Sequence, residues 1–222
     1  MEVSRVERSR ERLGRVTVFD DGRKPTYAAL LDLPSKPFWR AVEVAGVPEL
    51  LAELCELRVA LLAEALVLRP SAARKEVEST GGGSWSVVTV CENGRWLVSE
   101  AQAPVLRGVL ERHRATVLTM SLFASCMLSF LEPGGALAPH YGPTNLRLRL
   151  QFPLSETRGC RLMCGAEQSD YEEGYALVDD SFLHWACNDS ADLCRAMLVL
   201  DVWHPGVTAR EREELSELTG AL

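Results

Sequence analysis

Four histidines occur in the 222 residues, His113, His140, His184 and His204, and two of them stand where loops meet strand-like segments. His140 follows the turn-forming Pro133-Gly134-Gly135 and Pro139, with Gly142 two residues on. His184 follows Val178-Asp179-Asp180-Ser181-Phe182-Leu183, at the end of a second strand-like run. Neutral imidazoles at the mouths of neighbouring strands can converge on one metal. Iron(II) takes such ligands, and a carboxylate normally completes the face. On periodicity alone, two unrelated loop histidines are the simpler reading.

Arg195 shifts that balance. It lies eleven residues after His184, inside the apolar run Cys194-Arg195-Ala196-Met197-Leu198-Val199-Leu200-Asp201-Val202-Trp203. A guanidinium in a strand that otherwise reads as core needs a partner, because an unpaired buried charge is very unfavourable. Its planar fork suits a bidentate carboxylate. One reading is an internal ion pair, with Asp201 or Asp179. The other is a grip on the C5 carboxylate of 2-oxoglutarate, whose opposite end chelates a metal; two histidines and then an arginine, in that order, fit this cosubstrate.

The elements that must position these groups change character near residue 116. Residues 1 to about 45 hold Pro25, Pro34 and Pro37 with Tyr27, Phe38 and Trp39, which suggests short strands and loops. Val47 to Leu68 carries apolar residues at helical spacing among strong helix formers, and Pro70 ends it. Gly81 to Gly83 reads as a flexible loop, Trp85 to Val98 as a hairpin turning at Glu92-Asn93-Gly94, and Ala103 to Arg114 as a second helix. After Thr116 come short strands broken by turns. In Asn145-Leu146-Arg147-Leu148-Arg149-Leu150-Gln151-Phe152 the polar residues fall on one face and the apolar ones on the other. The segments around Cys160–Cys164, Tyr175–Ser181 and Cys194–Trp203 are further strands. This predicts a mainly β chain with N-terminal helices (α+β), its strands closing as a jelly-roll or barrel. One domain, 1–222, is expected: a helical, pocket-building part at 1–115, a β core at 116–208, and a C-terminal helix or tail at 209–222.

Composition bounds the rest. A net charge of −7 offers no electrostatic footprint for nucleic acid or an anionic membrane. The longest apolar stretch is interrupted by Glu53, Glu56, Arg58 and Glu64, so it does not span a bilayer, and the first residues lack the apolar stretch of a signal peptide. Seven cysteines in no small-domain pattern point to free thiols in a reducing cytoplasm. Three lysines among 24 basic residues suggest a GC-rich, bacterial genome.

Pro139-His140-Tyr141-Gly142-Pro143-Thr144-Asn145-Leu146-Arg147-Leu148-Arg149 resembles the signature strand of the aspartyl/asparaginyl β-hydroxylase family. Glu173-Gly174, Asp179-Asp180-Ser181-Phe182 with His184, and Asp201-Val202-Trp203-His204-Pro205 are similar to later blocks of that family, in the same order. The likeness is good from about Ser129 to Thr208 and loose before it.

The resemblance implies a double-stranded β-helix (jelly-roll, cupin-like) and the use of Fe(II), 2-oxoglutarate and O2. It implies β-hydroxylation of an Asp or Asn side chain with release of succinate and CO2. Carried over by position, His140 and His184 hold iron, and Arg195 with Ser129 holds the far carboxylate of 2-oxoglutarate. Gln151 stands where the family often has a histidine that helps hold 2-oxoglutarate, which suggests re-tuned binding. Arg149, with Arg147 on the same face, meets the substrate. Gly142 stands where many related oxygenases carry Asp or Glu, so the carboxylate ligand position is vacant. Asp179 and Asp180 are candidates for orienting His184 or capping a turn.

A small-molecule, carrier-tethered or peptide-bound amino acid is the expected substrate, within a pocket built around Phe38, Trp39 and Trp85. Rival outcomes with the same cofactors are desaturation, cyclisation or another C–H functionalisation in natural-product biosynthesis; a non-catalytic scaffold of the same fold is the other alternative. Of the remaining candidates, His204 is expected to cap or pack and His113 to be solvated. The cysteines are read as buried free thiols rather than a zinc site, and Met120, Met127 and Met163 as core.

Overall fold

The computed structural model describes residues 4–75, 83–119 and 123–219. Gly81, Gly82 and Met120 lie outside the described residues. The described residues begin not with a strand but with a short helix, α1 (Arg5–Ser9), whose N-terminal cap is the Ser4 hydroxyl accepting from Glu7 N at 3.1 Å. The loops that follow wrap the site strand, as described below.

The long helix expected from Val47 to Leu68 is two helices, α2 (Val47–Glu56) and α3 (Arg58–Leu68), parted at Leu57 where ψ rises to 5°. The buried positions Val47, Leu50, Leu54, Leu61, Ala65 and Leu68 keep helical spacing across the break, so periodicity does not reveal it. A single 3-10 turn containing Pro70 ends α3. Helix α4 (Pro104–Arg112) starts on proline, and the Glu64 carboxylate from α3 accepts from Val105 N at 2.6 Å and Leu106 N at 3.0 Å. That carboxylate satisfies two orphan amides at the positive end of the helix. The last helix, α5, covers Ala209–Thr219.

Two antiparallel sheets form the rest. The larger runs in the order β1 (Ala73–Lys75), β2 (Trp85–Glu92), β4 (Ser125–Leu131), β10 (Arg195–Trp203), β5 (Arg147–Pro153), β8 (Ala176–Val178), with β3 (Arg95–Trp96) added on β2. The β2–β3 hairpin turns at Asn93 (φ 50°) and Gly94 (φ 74°), the two positive-φ residues that a twisted two-residue turn requires. The smaller sheet is β7 (Glu167–Ser169), β6 (Cys160–Cys164), β9 (His184–Asn188). A further stretch joins it through the bridges Ala136 to Cys187 and His140 to His184.

Alternation decides what each face does. Leu128, Phe130, Leu148, Leu150, Phe152, Leu198, Leu200 and Val202 point outward from the larger sheet and pack against α2, α3 and α4. The opposite faces of β8 and β10 pack against Cys160, Leu162, Cys164 and Ala186 of the smaller sheet. The result is a jelly-roll with helices on one side and a second sheet on the other. Three strands N-terminal of residue 116 enter the larger sheet, so the chain's first half contributes to the β core as well as covering it. Among the described residues no helix is long and apolar enough to cross a membrane.

His184 opens β9; it does not close the strand before it. Strand β8 stops at Val178, and Asp179 then caps a turn by accepting from Ser181 N at 3.0 Å and Ser181 Oγ at 2.5 Å. His204 is fully buried, its Nε2 against Pro34 O at 3.0 Å, its Nδ1 accepting from Gly206 N at 3.0 Å, and its ring edge-on to Trp39. It is a packing residue. His113 departs from expectation: it is half-buried past the end of α4, with Nε2 2.8 Å from Glu53 Oε2. The seven cysteines are free; Cys91, Cys126, Cys160, Cys164 and Cys187 are buried. Met127 and Met163 are only partly buried, and Met127 borders the site.

Candidate active site

The backbone brings His140 and His184 together. Each peptide donates to the other's carbonyl, His140 N to His184 O at 3.0 Å and His184 N to His140 O at 2.9 Å, and the ring centroids stand 4.1 Å apart. Each ring is fixed the same way. Nδ1 of His140 lies 2.7 Å from Ala138 O and Nδ1 of His184 lies 3.0 Å from Phe182 O. A carbonyl only accepts, so both Nδ1 atoms carry hydrogen, and in the neutral ring Nε2 is then the nitrogen that presents a lone pair. Burial pushes the His184 pKa down to about 4, outweighing the upward pull of Asp180, so its imidazole is neutral and ready to ligate across the physiological range. Backbone carbonyls orient both rings; neither Asp179 nor Asp180 bonds to His184 Nδ1.

The lack of a side chain at Gly142 has a steric explanation. A Cβ there would overlap the Asp180 carboxyl, lying 2.5 Å from Oδ1 and 2.6 Å from Oδ2. The space that a side chain at 142 would enter is therefore filled by a carboxylate from elsewhere in the chain. Among the described residues, no cluster of three or more His, Cys, Asp or Glu side chains could hold a metal, so any metal here rests on the two histidines.

Asp180 also anchors a buried quartet. Arg147 Nη2 donates to Asp180 Oδ2 at 3.0 Å and Arg147 Nη1 to Asp201 Oδ2 at 2.5 Å; Arg149 Nε donates to Asp201 Oδ1 at 2.9 Å, with Nη1 3.3 Å from Asp180 Oδ2. The strand register sets this up by placing Asp201 directly opposite Arg149. Burial opposes ionisation of Asp180, yet the Arg147 and Arg149 charges prevail and hold its pKa at about 2. Burial likewise opposes the Arg149 charge, and Asp201 and Asp180 outweigh it and push that pKa up. Both terminal nitrogens of Arg147 serve this quartet and Phe123 O at 2.5 Å, while its buried Nε has no hydrogen-bond partner; together with Arg149 it lines a second cleft, beside Tyr27, Phe123 and Met127. Arg149, more exposed than Arg147, borders the cavity. Asn145, on the same strand face, is fully buried and exchanges hydrogen bonds with the Leu30 backbone at 2.9 Å in both directions.

Between the sheets lies a cavity lined by His140, His184, Arg149, Gln151, Ser129, Arg195 and Trp85, closed by Leu137, Leu162 and Trp185. Its deep wall is made of donors. Arg195 is almost completely buried and has no carboxylate partner: Nη2 reaches Ser129 Oγ at 3.4 Å, Nε and Nη1 make no hydrogen bond, and the Tyr171 hydroxyl stands nearby. The internal ion pair with Asp201 or Asp179 does not form. The Ser129 hydroxyl accepts from Trp85 Nε1 at 2.9 Å as well as facing Arg195, so its own proton must point to a further acceptor. Unpartnered donors on buried groups call for a ligand rich in acceptors.

Of the three aromatic residues expected around the pocket, only Trp85 lines it. Phe38 bridges to Val178, and Trp39 packs against His204. Three features escaped the sequence reading. One is the N-terminal segment that holds the site strand, with Lys24 N donating to Ser181 O at 2.7 Å and Thr26 N to Gly142 O at 3.1 Å. Another is the Asp180–Asp201 arginine quartet, for which the only signal was acidic residues inside apolar runs. The last is Tyr171, whose hydroxyl reaches Gln151 and for which no spacing gave notice.

Comparison with known proteins places the chain in a family. The family model for aspartyl/asparaginyl beta-hydroxylase matches residues 55–205, more than half of the chain. Aspartate beta-hydroxylase domain-containing protein 2 of Mus musculus is 32% identical over 201 residues, covering 87% of this chain and 58% of that protein. Aspartyl/asparaginyl beta-hydroxylase of Mus musculus is 35% identical over 136 residues, 60% of this chain and 18% of that protein. The chain thus spans at most about three-fifths of the length of either relative. A solved 2OG-Fe(II) oxygenase family oxidoreductase from Burkholderia pseudomallei is similar in shape (TM-score 0.44, 13% identity, 77% of this chain and 96% of that one), a likeness too distant to speak to chemistry. With a match running through β2, both histidines, the arginine quartet and Arg195, the chain belongs to the aspartyl/asparaginyl β-hydroxylase family.

Proposed function

We propose that the protein is an Fe(II)- and 2-oxoglutarate-dependent dioxygenase that β-hydroxylates an Asp- or Asn-like residue, free, carrier-tethered or peptide-bound. One observation carries this: two oriented Nε2 lone pairs face a cavity whose deep wall holds an unpaired buried guanidinium and a serine hydroxyl with a proton to give. The wall suits a carboxylate, the histidines suit a metal, and 2-oxoglutarate is a ligand that needs both at once. The fit is tested by the orphaned Nε and Nη1 atoms of Arg195, which a carboxylate would satisfy.

When bound, iron and 2-oxoglutarate supply the oxidising power: O2 and 2-oxoglutarate convert a C–H to C–OH with loss of CO2 and formation of succinate. The chain's residues do the rest. His140 and His184 hold the metal through Nε2. Arg195 and Ser129 fix the far carboxylate, and Asp180 places a negative charge beside the vacant ligand position. Trp185, Leu137 and Leu162 narrow access for water. Arg149 offers directed donors to the substrate from a quartet in which two positive and two negative groups balance. That balance favours recognition by hydrogen-bond geometry over net charge, and it suits an amide side chain as well as a carboxylate.

The test is anaerobic titration of the protein with iron(II) and 2-oxoglutarate, following the weak visible charge-transfer band. The band is expected in wild-type protein and lost in His184→Ala, with Arg195→Ala requiring far more 2-oxoglutarate. A reconstituted wild-type protein without the band would overturn the reading in favour of a scaffold.

A further inference from the structure

The cavity's donor wall has a third member whose polarity is set from outside the cavity. Gln151 lines it from β5, and its amide can turn either oxygen or nitrogen inward. Tyr171 decides which. The Tyr171 hydroxyl lies 2.6 Å from Gln151 Oε1 and is buried beside the Arg195 guanidinium. Burial pushes the Tyr171 pKa up to about 12, with Arg195 pulling the other way, so the phenol keeps its proton at all working pH values. A guanidinium cannot accept that proton. The hydroxyl therefore offers its lone pairs towards Arg195 and donates to Gln151 Oε1, which leaves the Gln151 NH2 as the group facing away from Tyr171.

Tyr171 is held for this task. Its backbone sits in the left-handed region at φ 66°, unusual for a bulky aromatic residue, with its amide donating to Ser169 Oγ at 3.1 Å and its carbonyl accepting from Gly174 N at 2.8 Å. That short turn after β7 swings the ring inward, between β5 and β10.

We propose that Tyr171 is a positioning residue for 2-oxoglutarate: by locking the Gln151 carbonyl it presents the Gln151 amide NH2 to a carboxylate of the cosubstrate, adding a donor to those of Arg195 and Ser129. This rests on the proposed cofactor assignment.

The experiment is calorimetric titration of 2-oxoglutarate into anaerobic, iron(II)-loaded protein, comparing wild type, Tyr171→Phe, Gln151→Ala and the double variant. Tyr171→Phe is expected to raise Kd about tenfold, as for loss of one hydrogen bond to a charged group. In a Gln151→Ala background the same change is expected to have a much smaller effect, since only the hydroxyl's interaction with Arg195 then remains to be lost. Gln151→Glu, isosteric but without an NH2, is expected to weaken binding more than Tyr171→Phe, and it serves as the test if Tyr171→Phe does not fold. Wild-type binding with Tyr171→Phe unchanged, with additive effects in the double variant, or with Gln151→Glu binding as wild type overturns this inference and leaves the cofactor assignment standing. No binding by wild type overturns both.

Discussion

A single arginine carries the clearest signature of function in this molecule. Arg195 sits in a core strand among Met197, Leu198 and Val199, with two of its nitrogens unpartnered. Such an arrangement destabilises the ligand-free fold, because the charge has left water without gaining an anion. Replacing it by Met is therefore expected to raise unfolding free energy by about 1–2 kcal/mol in the absence of ligand while abolishing 2-oxoglutarate binding. Parallel urea unfolding and ligand titration read both effects; a destabilised variant would mean that the arginine is structural. Gly142 gives the opposite kind of prediction. Asp180 is locked by two arginines and cannot retreat from a new methyl group, so Gly142→Ala is expected to lower stability by about 1–3 kcal/mol. An equally stable Gly142→Ala would show that Asp180 does not fill that space.

Among the elements, β5 and β10 do most to place chemistry. Their antiparallel register sets Asp201 against Arg149 and Val199 against Gln151, so that one inner face carries the quartet and the cavity wall together. The alternation of β5 was readable in the sequence because a strand half-buried under helices must keep its outer face apolar, and Leu148, Leu150 and Phe152 do so. The histidine pair was readable for a related reason: the turn at Pro133-Gly134-Gly135 and the residues around Asp179-Asp180 punctuate the strands that end there. What the sequence could not show was pairing between distant elements. Nothing local distinguishes an arginine held by Asp201 from one held by a ligand, and the break at Leu57 is invisible because apolar spacing continues through it. The quartet also predicts its own fragility. Asp201→Asn removes one negative charge from between Arg147 and Arg149 and leaves the buried pair undercompensated, an expected loss of about 3–5 kcal/mol. Arg147→Met with Asp201→Asn should recover part of that loss, and the shift in urea midpoint measures it; two additive losses would mean that the pair is not coupled.

At the scale of the whole molecule, buried titratable groups make stability depend on pH, and the signs can be worked out. Burial lowers the pKa values of His184 and His204 to about 4, so the folded state binds fewer protons than the unfolded one between that value and the ordinary 6.5. Their contribution is fully present above pH 6.5 and is lost as pH falls towards 4. Asp179 acts in the other direction. Burial, only partly offset by its bonds from Ser181, raises its pKa to about 7, so what it contributes is present below 3.8 and is lost as pH rises through 7. Asp180, held at about 2 by the arginines against the effect of burial, adds a loss only below 3.8. Across pH 4 to 6.5 two histidines oppose one aspartate, and the protein should weaken on acidification. His204 allows this to be tested away from the cavity, which it does not line, because it packs between Pro34, Gly206 and Trp39 just past the end of β10. Asparagine there keeps an acceptor for the Gly206 amide and cannot titrate. His204→Asn is expected to be less stable than wild type at pH 8, where the packed ring is lost, and to lose about 1–2 kcal/mol less than wild type on going from pH 7 to pH 5. Denaturant midpoints at the two pH values, taken without metal so that His184 contributes equally to both proteins, measure the difference. Parallel losses in the two proteins would mean that His204 is not the neutral, buried group described above.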